Sequence, residues 1–214
     1  SELLCSQLYQ HGYHVWLETP LKIKRAFAIK SHKTDPADAQ QIAEYAFRYC
    51  DRMNQWSPKP TLINDLENWL TLREQLVKQQ TAMKNFNQAI TKKVDGAQEV
   101  VEMTQKVLDF YEKCIKELEA KMEALIKEDQ QLEYEIEMLN AIPGFGRLTA
   151  TNIAVLMRQH EALKSYPKAA AYIGICPYKW ESGKSKKAAR ISHLGPPRIR
   201  KLLHLGARSV CIHK

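Results

Sequence analysis

Two aspartates three residues apart, Asp35 and Asp38, are the first residues that could do chemistry. They lie in the run KTDPADA, in which Asp-Pro predicts the start of a helix. On a helix this spacing places both carboxylates on one face, about 5–6 Å apart at Cβ, where they could share Mg²⁺. The same residues suit helix capping, with Asp35 as the N-cap and Asp38 facing the positive end of the helix. The spacing alone favours capping, and the two interpretations are compatible.

Ser182 is the second candidate, because it lies in a strongly cationic segment. Residues 179–214 contain ten Lys or Arg and one acid, Glu181, whereas the other 178 residues carry a net charge of −1. Cations around a serine favour its alkoxide and the charge of a phosphoryl transition state, so Ser182 could be a nucleophile. The alternative is a Ser-Gly turn whose lysines bind phosphate without chemistry, and the residues alone favour that alternative.

The same cationic segment predicts contact with nucleic acid. Basic residues interleaved with Ser, Gly and Pro suit a polyanion, and the apolar stretch from Ile199 to Val210 predicts that the segment folds. A solubilising tail is the alternative. The expected contact residues are Lys184, Lys186, Lys187, Arg190, Arg198, Arg200 and Lys201.

A glycine-containing turn from Ile142 to Gly146 separates two predicted helices and looks like the turn of a helix-hairpin-helix motif. Glycines let a backbone approach a phosphate closely, and the N–H groups that begin the next helix point outwards. We therefore expect Gly144, Gly146 and Arg147 to contact nucleic acid. A tight turn between packed helices is the alternative.

Length and composition exclude several classes of protein. The 214 residues, 44% of them hydrophobic, can bury a core in one or two domains and exclude wholesale disorder. No apolar run approaches the roughly 18–20 residues of a membrane span. The five cysteines are odd in number and form no CxxC pair, which argues against zinc or a disulfide framework and fits a reducing cytosol.

Residues 1–58 predict part of an α/β domain. The end of a helix is followed by a strand from Tyr13 to Leu17, a short helix after Thr19-Pro20, and a third helix from Asp35 to about Tyr49. One strand cannot form a sheet, so we expect the chain to start inside a domain.

Two long helical arms follow a linker that contains Pro58 and Pro60. Apolar residues recur at steps of three and four along both arms, and Asp95-Gly96 predicts the turn between them. In the second arm the seam runs from Leu108 to Leu139, interrupted only by Asp129. The pattern predicts an antiparallel coiled-coil hairpin over 59–138. Polar residues on the first seam (Arg73, Gln80 and Asn87) favour a homo-oligomer that buries the stripes.

Three segments together resemble one family, the DEDD insertion-sequence transposases of the Piv/MooV-like DNA recombinase type. The block from Lys33 to Ala39 resembles the family's third and fourth acids, and the helical hairpin resembles its coiled coil. The C-terminal transposase domain of the family is similar to three stretches of this chain: 142–150, 170–177 and 182–200.

The resemblance implies an RNase H-like domain in which four acids bind a divalent metal, and a C-terminal domain whose serine attacks a DNA phosphate and holds the strand covalently. Carried over, Asp35 and Asp38 would be catalytic metal ligands, and Ser182 would be the nucleophile, with Ser185 as a substitute. Some members of the family are guided by a structured RNA. The implied location is the bacterial cytoplasm.

One departure from the family concerns its first Asp and its Glu-x-Thr-Gly-x-Tyr block, neither of which is present. Glu18 precedes Thr19 but lacks the Gly and the Tyr. We therefore expect an N-terminally truncated transposase that holds Mg²⁺ weakly and whose own activity is open. A non-catalytic helical module that binds DNA or RNA is the alternative.

The expected fold class is mainly α with a small α/β part. The expected domains are a partial RNase H-like domain (1–58), the coiled-coil hairpin (59–138), and a C-terminal transposase domain with the helix-hairpin-helix and the basic tail (139–214).

Overall fold

A computed structural model of the protein describes residues 2–27, 34–53, 55–92, 98–159, 163, 165–182, 185–192 and 195–212, with backbone only for the strand residues between 178 and 189. The chain divides into two compact units, Ser1–Lys59 and Pro60–Lys214. The described residues are mainly helical, as predicted, with nine α-helices and one two-stranded sheet. Within the described residues, no helix is both long and apolar enough to cross a bilayer.

The first unit contains three helices: α1 (Glu2–Gln10), α2 (Pro20–Ala26) and α3 (Asp35–Arg48), followed by a 3₁₀ turn (Cys50–Arg52). The predicted strand from Tyr13 to Leu17 is wrong. Only Trp16 forms a bridge, to Gln55, beside a hydrogen bond of 2.8 Å from the Trp56 N–H to the Val15 carbonyl. A strand needs a run of backbone partners, and the described part of this unit offers residues 13–17 a single short segment.

The second unit begins with the two arms, α4 (Thr61–Thr91) and α5 (Gln98–Lys127), which pack against each other as a helical hairpin. The seam residues of the distal half of α4, among them Leu76, Met83 and Ile90, are half-buried. The polar seam residue Arg73 is satisfied within the hairpin, because its Nε donates to Glu119 Oε1 at 2.7 Å.

The predicted second arm is interrupted earlier than expected. Helix α5 ends at Lys127, and a separate helix, α6 (Gln130–Asn140), begins after Asp129, whose Oδ1 accepts from the Leu132 N–H at 2.9 Å. The expectation of one continuous helix to Leu139 is therefore wrong. An aspartate that caps a new helix offers the backbone an alternative to continuing the old one.

The remaining elements are α7 (Arg147–Gln159), α8 (Tyr166–Ile173), the antiparallel strands β1 (Pro177–Ser182) and β2 (Ser185–Ile191), and α9 (Pro197–Ile212). The sequence interpretation missed this β-hairpin. The main core collects buried side chains from four helices: Ile63, Leu66 and Leu70 of α4, Leu118, Met122 and Ile126 of α5, Leu132 and Ile136 of α6, and Ala150, Ala154 and Val155 of α7.

Candidate nucleic-acid interface and acid pair

Ser182 is the last residue of β1, and its backbone lies directly opposite Ser185, the first residue of β2. The next registered pair, Glu181 with Lys186, continues the antiparallel ladder towards the base of the hairpin. The ladder therefore fixes the two serines on either side of the hairpin tip. The tip residues 183–184, and the side chains of Ser182, Lys186 and Lys187, lie outside what the structure describes, and so does the predicted contact residue Lys184.

The base of this β-hairpin is anchored by Arg200. Its Nη1 donates to the carbonyls of Ile173 at 3.1 Å and Gly195 at 2.8 Å, joining the end of α8 to the start of α9. A side chain on Gly174 (φ of 80°) would collide with the Ser192 carbonyl just after β2. Arg200, predicted to contact nucleic acid, thus holds the backbone segments from which the hairpin extends.

The other cations of this region differ in how far they are engaged. The Arg198 side chain is about three-quarters buried, and its Nη1 lies 4.0 Å from Oε2 of Glu74 on α4. Arg190 and Lys201 are exposed, and neither has an ion-pair partner among the described residues. Of the described basic residues that the sequence singled out here, these two are the most available to a polyanion.

Gly144 serves packing within the protein. It has a positive φ of 82°, and a side chain there would overlap the carbonyl oxygen of Gly206 on α9. The interhelical turn therefore rests directly on the backbone of α9, which glycine permits at both positions. Gly146 has open space around it, and its carbonyl accepts from the Ala150 N–H at 3.0 Å to begin α7.

Arg147 is bound to a carboxylate on α5. Its Nε and Nη2 donate to the two oxygens of Glu123 at 2.7 and 2.6 Å, a bidentate pair. Hydrogen bonds from Arg147 hold the pKa of Glu123 below its usual range, against the opposing effect of burial, and the same pairing raises the pKa of Arg147. This guanidinium docks the start of α7 onto the hairpin, so a phosphate would have to compete with Glu123 for it.

A second arginine fastens the other end of α7. Arg158 donates to Asp129 Oδ2 at 2.7 Å and to Glu135 Oε2 at 2.9 Å. The hydrogen bonds from Arg158 lower the pKa of Glu135, while burial and the nearby Asp129 oppose that shift. The sequence offered no signal for this pairing, because the partners lie 29 and 23 residues away along the chain.

The acid pair lies in the first turn of α3, as predicted, and both carboxylates are exposed. The capping interpretation was wrong in detail. Thr34 occupies the N-cap position without a side-chain hydrogen bond, and Asp35 is the first helical residue. Among the described residues, no group of three or more His, Cys, Asp or Glu could hold a metal ion. The pair can offer two oxygen ligands on one exposed turn.

Hydrogen bonds around Glu18 connect the start of α2 to Tyr45 in the second half of α3. Glu18 accepts from the Thr19 N–H at 2.9 Å, Lys22 Nζ at 2.7 Å and the Tyr45 hydroxyl at 3.3 Å. Burial raises the pKa of Glu18, but these hydrogen bonds outweigh it and keep the pKa below its usual range. Tyr45 also packs against Trp16, with ring centroids 5.4 Å apart. The Glu18–Lys22 spacing of four was the only sequence signal for this network.

Comparison with known families matches both ends of the chain. Residues 136–214 match the family described as the transposase IS116/IS110/IS902 family, and residues 1–94 match the DEDD transposase family named for IS110. The stretch between these matches is 95–135, most of it helix α5. The match over 1–94 contains the acid pair, and the match over 136–214 contains the serine hairpin.

Three curated relatives are similar along most of the chain. The transposase for insertion sequence element IS1111A of Coxiella burnetii is 27% identical over 208 residues, covering 86% of this chain and 57% of that protein. The pilin gene-inverting proteins of Moraxella lacunata and Moraxella bovis are each 25% identical over 214 residues, covering 96% of this chain and 62% of theirs. The chain thus spans about three fifths of the length of these relatives.

Proposed function

We propose that the chain is part of a DNA recombinase of the IS110/IS116/IS902 transposase family that cuts and rejoins strands through Ser182, because both ends of the chain match models of such transposases. The observation that carries the proposal is the position of the Ser182 backbone at the tip of a lysine-containing β-hairpin, inside the C-terminal family match. A hairpin tip can reach a phosphodiester that a flat surface cannot. The anchor at Arg200 gives the hairpin a fixed base.

In the proposed reaction, Ser182 Oγ attacks the phosphorus of a DNA phosphodiester. The Oγ–P bond forms, the bond from phosphorus to the sugar oxygen of one strand breaks, and the serine proton passes to water while the leaving oxygen gains one. One phosphodiester replaces another, so the linkage can be resealed when a second strand's hydroxyl attacks it. Arg190 and the hairpin lysines would stabilise the charge that develops on the phosphate.

The acid pair would assist by holding Mg²⁺. This ion keeps several of its waters and is usually bound by one or two carboxylates plus substrate phosphates, so two exposed aspartates on one helical turn fit it. When bound, the ion would polarise a phosphate oxygen. Asp35 and Asp38 themselves would orient it, and the Glu18–Tyr45 network would keep α3 in place.

The decisive experiment traps the covalent intermediate. Protein expressed from the complete reading frame that contains this sequence is incubated with element-end DNA and Mg²⁺, and adducts are resolved on a denaturing gel. We expect an adduct that disappears in Ser182→Ala and persists in Ser185→Ala. The proposal fails if the wild type forms no adduct, or if the adduct survives Ser182→Ala.

The role of the acids is tested in the same assay. Asp35→Asn keeps the size and hydrogen-bonding capacity of the side chain but removes its charge. We expect a lost adduct with retained DNA binding and an unchanged melting temperature. A lower melting temperature with normal adduct formation would show that Asp35 serves only the helix dipole, an effect of about 0.3–1 kcal/mol.

The alternative is a module that grips DNA or structured RNA without chemistry. It is favoured by the engagement of Arg147, Arg198 and Arg200 inside the protein, since these residues build a shaped scaffold rather than a reactive centre. This alternative predicts salt-sensitive binding of nucleic acid and no adduct under any condition. Either function is compatible with a structured guide RNA. Gel-shift competition between DNA and RNA would show which of the two nucleic acids binds more tightly.

We also propose that the α4–α5 hairpin joins copies of the chain. Its distal half exposes large apolar side chains that a monomer leaves in water: Phe86 (49% exposed), Met103 (61%) and Phe110 (63%). We expect sedimentation to show a concentration-dependent oligomer that Phe110→Ser weakens. A monomer at every concentration would exclude this assembly.

A further inference from the structure

A cleft of about 390 Å³ lies between α4, α7 and α9 within the second unit. Its apolar lining includes Leu70 and Val77 of α4, Leu148 of α7, and Leu202 and Leu205 of α9. Its polar lining is mainly cationic. Arg73, Lys78, Arg198 and Lys201 are present, with Glu74, Thr81 and Asn152. An apolar surface edged by cations suits a ligand with a flat apolar part and anionic groups beside it.

Asn152 is the unusual member of this lining. It is only 3% exposed, and its Oδ1 is buried without a hydrogen-bond partner among the described residues. The orientation of its amide is fixed, because Nδ2 donates to the Leu148 carbonyl at 2.7 Å and a flipped amide would set two acceptors against each other. A buried acceptor without a donor is destabilising, so a donor brought by a ligand would relieve that cost.

The charges decide what kind of ligand fits. Arg73 is paired with Glu119 outside the cleft lining. The carboxylate of Glu74 lies 3.3 Å from Lys78 Nζ and 4.0 Å from Arg198 Nη1, so this one acid is shared by two cations. Lys201 adds a further exposed cation at the edge. The cleft therefore has spare positive charge for phosphates. Stacked base pairs hide their faces, whereas an unstacked nucleotide can present one base to an apolar surface.

We propose that this cleft binds one unstacked nucleotide of a single-stranded nucleic acid, with the base amine donating to Asn152 Oδ1 and the flanking phosphates lying against Lys78 and Lys201. The proposal rests on the proposed function in that it assumes a nucleic-acid ligand, but it concerns a contact on the side of α4 and α9, not the serine hairpin. Cytosine carries the required amine at C4, where uracil carries a carbonyl.

The test compares short oligonucleotides that differ only in that group. Binding of fluorescent oligo-dC and oligo-dU, and of their ribose counterparts, is measured by anisotropy with the wild-type protein. We expect C to bind about 2- to 10-fold more tightly than U, the net value of one hydrogen bond. The deoxyribose and ribose pairs show whether the natural strand is DNA or RNA.

Asn152→Leu should abolish the C-over-U preference, because it removes the unsatisfied acceptor. The protein should stay folded, because the backbone N–H of residue 152 still donates to the Leu148 carbonyl within α7. Leu205→Trp, at a half-exposed lining position, should weaken all four oligonucleotides by filling the cleft. Because Leu205→Trp tests the same cleft independently, the proposal can still be rejected if Asn152→Leu does not fold.

Two lysines provide a matched pair for the phosphate contact. Lys78→Ala should weaken binding of all four oligonucleotides several-fold. Lys113 is also exposed (76% against 61% for Lys78) and also pairs with a glutamate four residues away, Glu117. It lies on α5 outside the cleft lining, so Lys113→Ala should change nothing. Equal binding of C and U, a preference that survives Asn152→Leu, or equal effects of the two lysines would overturn the proposal. The Ser182 adduct is measured separately, so an adduct without a C-over-U preference rejects the cleft and keeps the recombinase.

Discussion

Gly144 has a positive φ of 82°, and any side chain there would overlap the backbone carbonyl of Gly206. Both obstacles apply to alanine, since a non-glycine residue in the left-handed region costs of order 1–3 kcal/mol and a backbone atom cannot turn aside as a side chain can. We expect Gly144→Ala to lower the free energy of unfolding by at least about 1–3 kcal/mol. Urea denaturation measures the change.

Gly146 is the matched control in the same turn. It has neither a positive φ nor an atom near its missing Cβ, so Gly146→Ala should cost only the loss of a good N-cap residue, up to about 1 kcal/mol. If Gly144→Ala instead left stability unchanged and weakened DNA binding, a phosphate contact would explain this glycine better than its packing on α9.

Asp129 has two separable roles. One carboxylate oxygen caps α6 and the other accepts from Arg158. Asp129→Ala removes both and should lower the free energy of unfolding by about 0.5–2 kcal/mol. Asp129→Asn keeps a capping oxygen and should lose less. Thermal melting of the two variants checks this order, and an equal loss would show that the ion pair, not the cap, holds the break between α5 and α6.

Helix α7 is held at both ends by arginine–carboxylate pairs, which makes its docking dependent on pH. The pKa values of Glu123 and Glu135 are lowered in the folded protein, so below about pH 5 the unfolded chain takes up protons first. The two glutamates therefore contribute fully to the free energy of unfolding near neutral pH, and this contribution is lost as the pH falls through their lowered pKa values. Because Glu123 is 41% exposed, we expect only about 0.2–1 kcal/mol from its pair.

The measurement is the urea midpoint between pH 7 and pH 3.5 for the wild type and Glu123→Gln. The variant should be less stable at pH 7, and the two curves should converge as the pH falls. Glu117→Gln on the exposed face of α5 controls for a general change in charge. Curves that stay parallel to the lowest pH would mean that the Arg147 pair contributes nothing to the docking of α7.

The helices were predictable where one periodic signal spans many residues. The seam of α4 follows from apolar residues at steps of three and four, and the start of α3 follows from Asp-Pro. Strands β1 and β2 were missed because their lysines and arginine hide any alternation of apolar residues. The sequence contained one short signal for the hairpin. Two residues, Gly183-Lys184, separate Ser182 from Ser185, which is the length of a two-residue hairpin turn.

Site residues were predictable by type but not by partner. A basic C-terminal segment was evident from the sequence, yet nothing local shows that Arg200 faces the carbonyl of Ile173 or that Arg147 faces Glu123, 24 residues earlier. Side-chain pairing across helices depends on how those helices cross, which sequence spacing does not specify. Because Arg147, Arg198 and Arg200 are engaged within the protein, setting them aside leaves a smaller set of predicted contacts than the sequence alone suggests.

That smaller set makes a quantitative prediction for the whole molecule. If all eight predicted basic contacts met phosphates, affinity for duplex DNA would fall about 20,000-fold between 50 and 200 mM salt, from a logarithmic slope of about −7. Arg147, Arg198 and Arg200 are engaged within the protein. The other five predicted contacts are Lys184, Lys186, Lys187, Arg190 and Lys201. Five contacts give a slope of about −4.5 and a fall of about 500-fold.

The two values differ enough for anisotropy titrations at several salt concentrations to separate them. Removing one true contact should lower the slope by about 0.9, so Lys186→Ala and Arg190→Ala should each do so while the protein remains as stable as before. Arg200→Ala should behave oppositely. It should lower the melting temperature by releasing the carbonyls of Ile173 and Gly195, and leave the slope of the folded protein unchanged. A slope near −7 that drops in Arg200→Ala would place this arginine on the nucleic acid and make the hairpin anchor secondary.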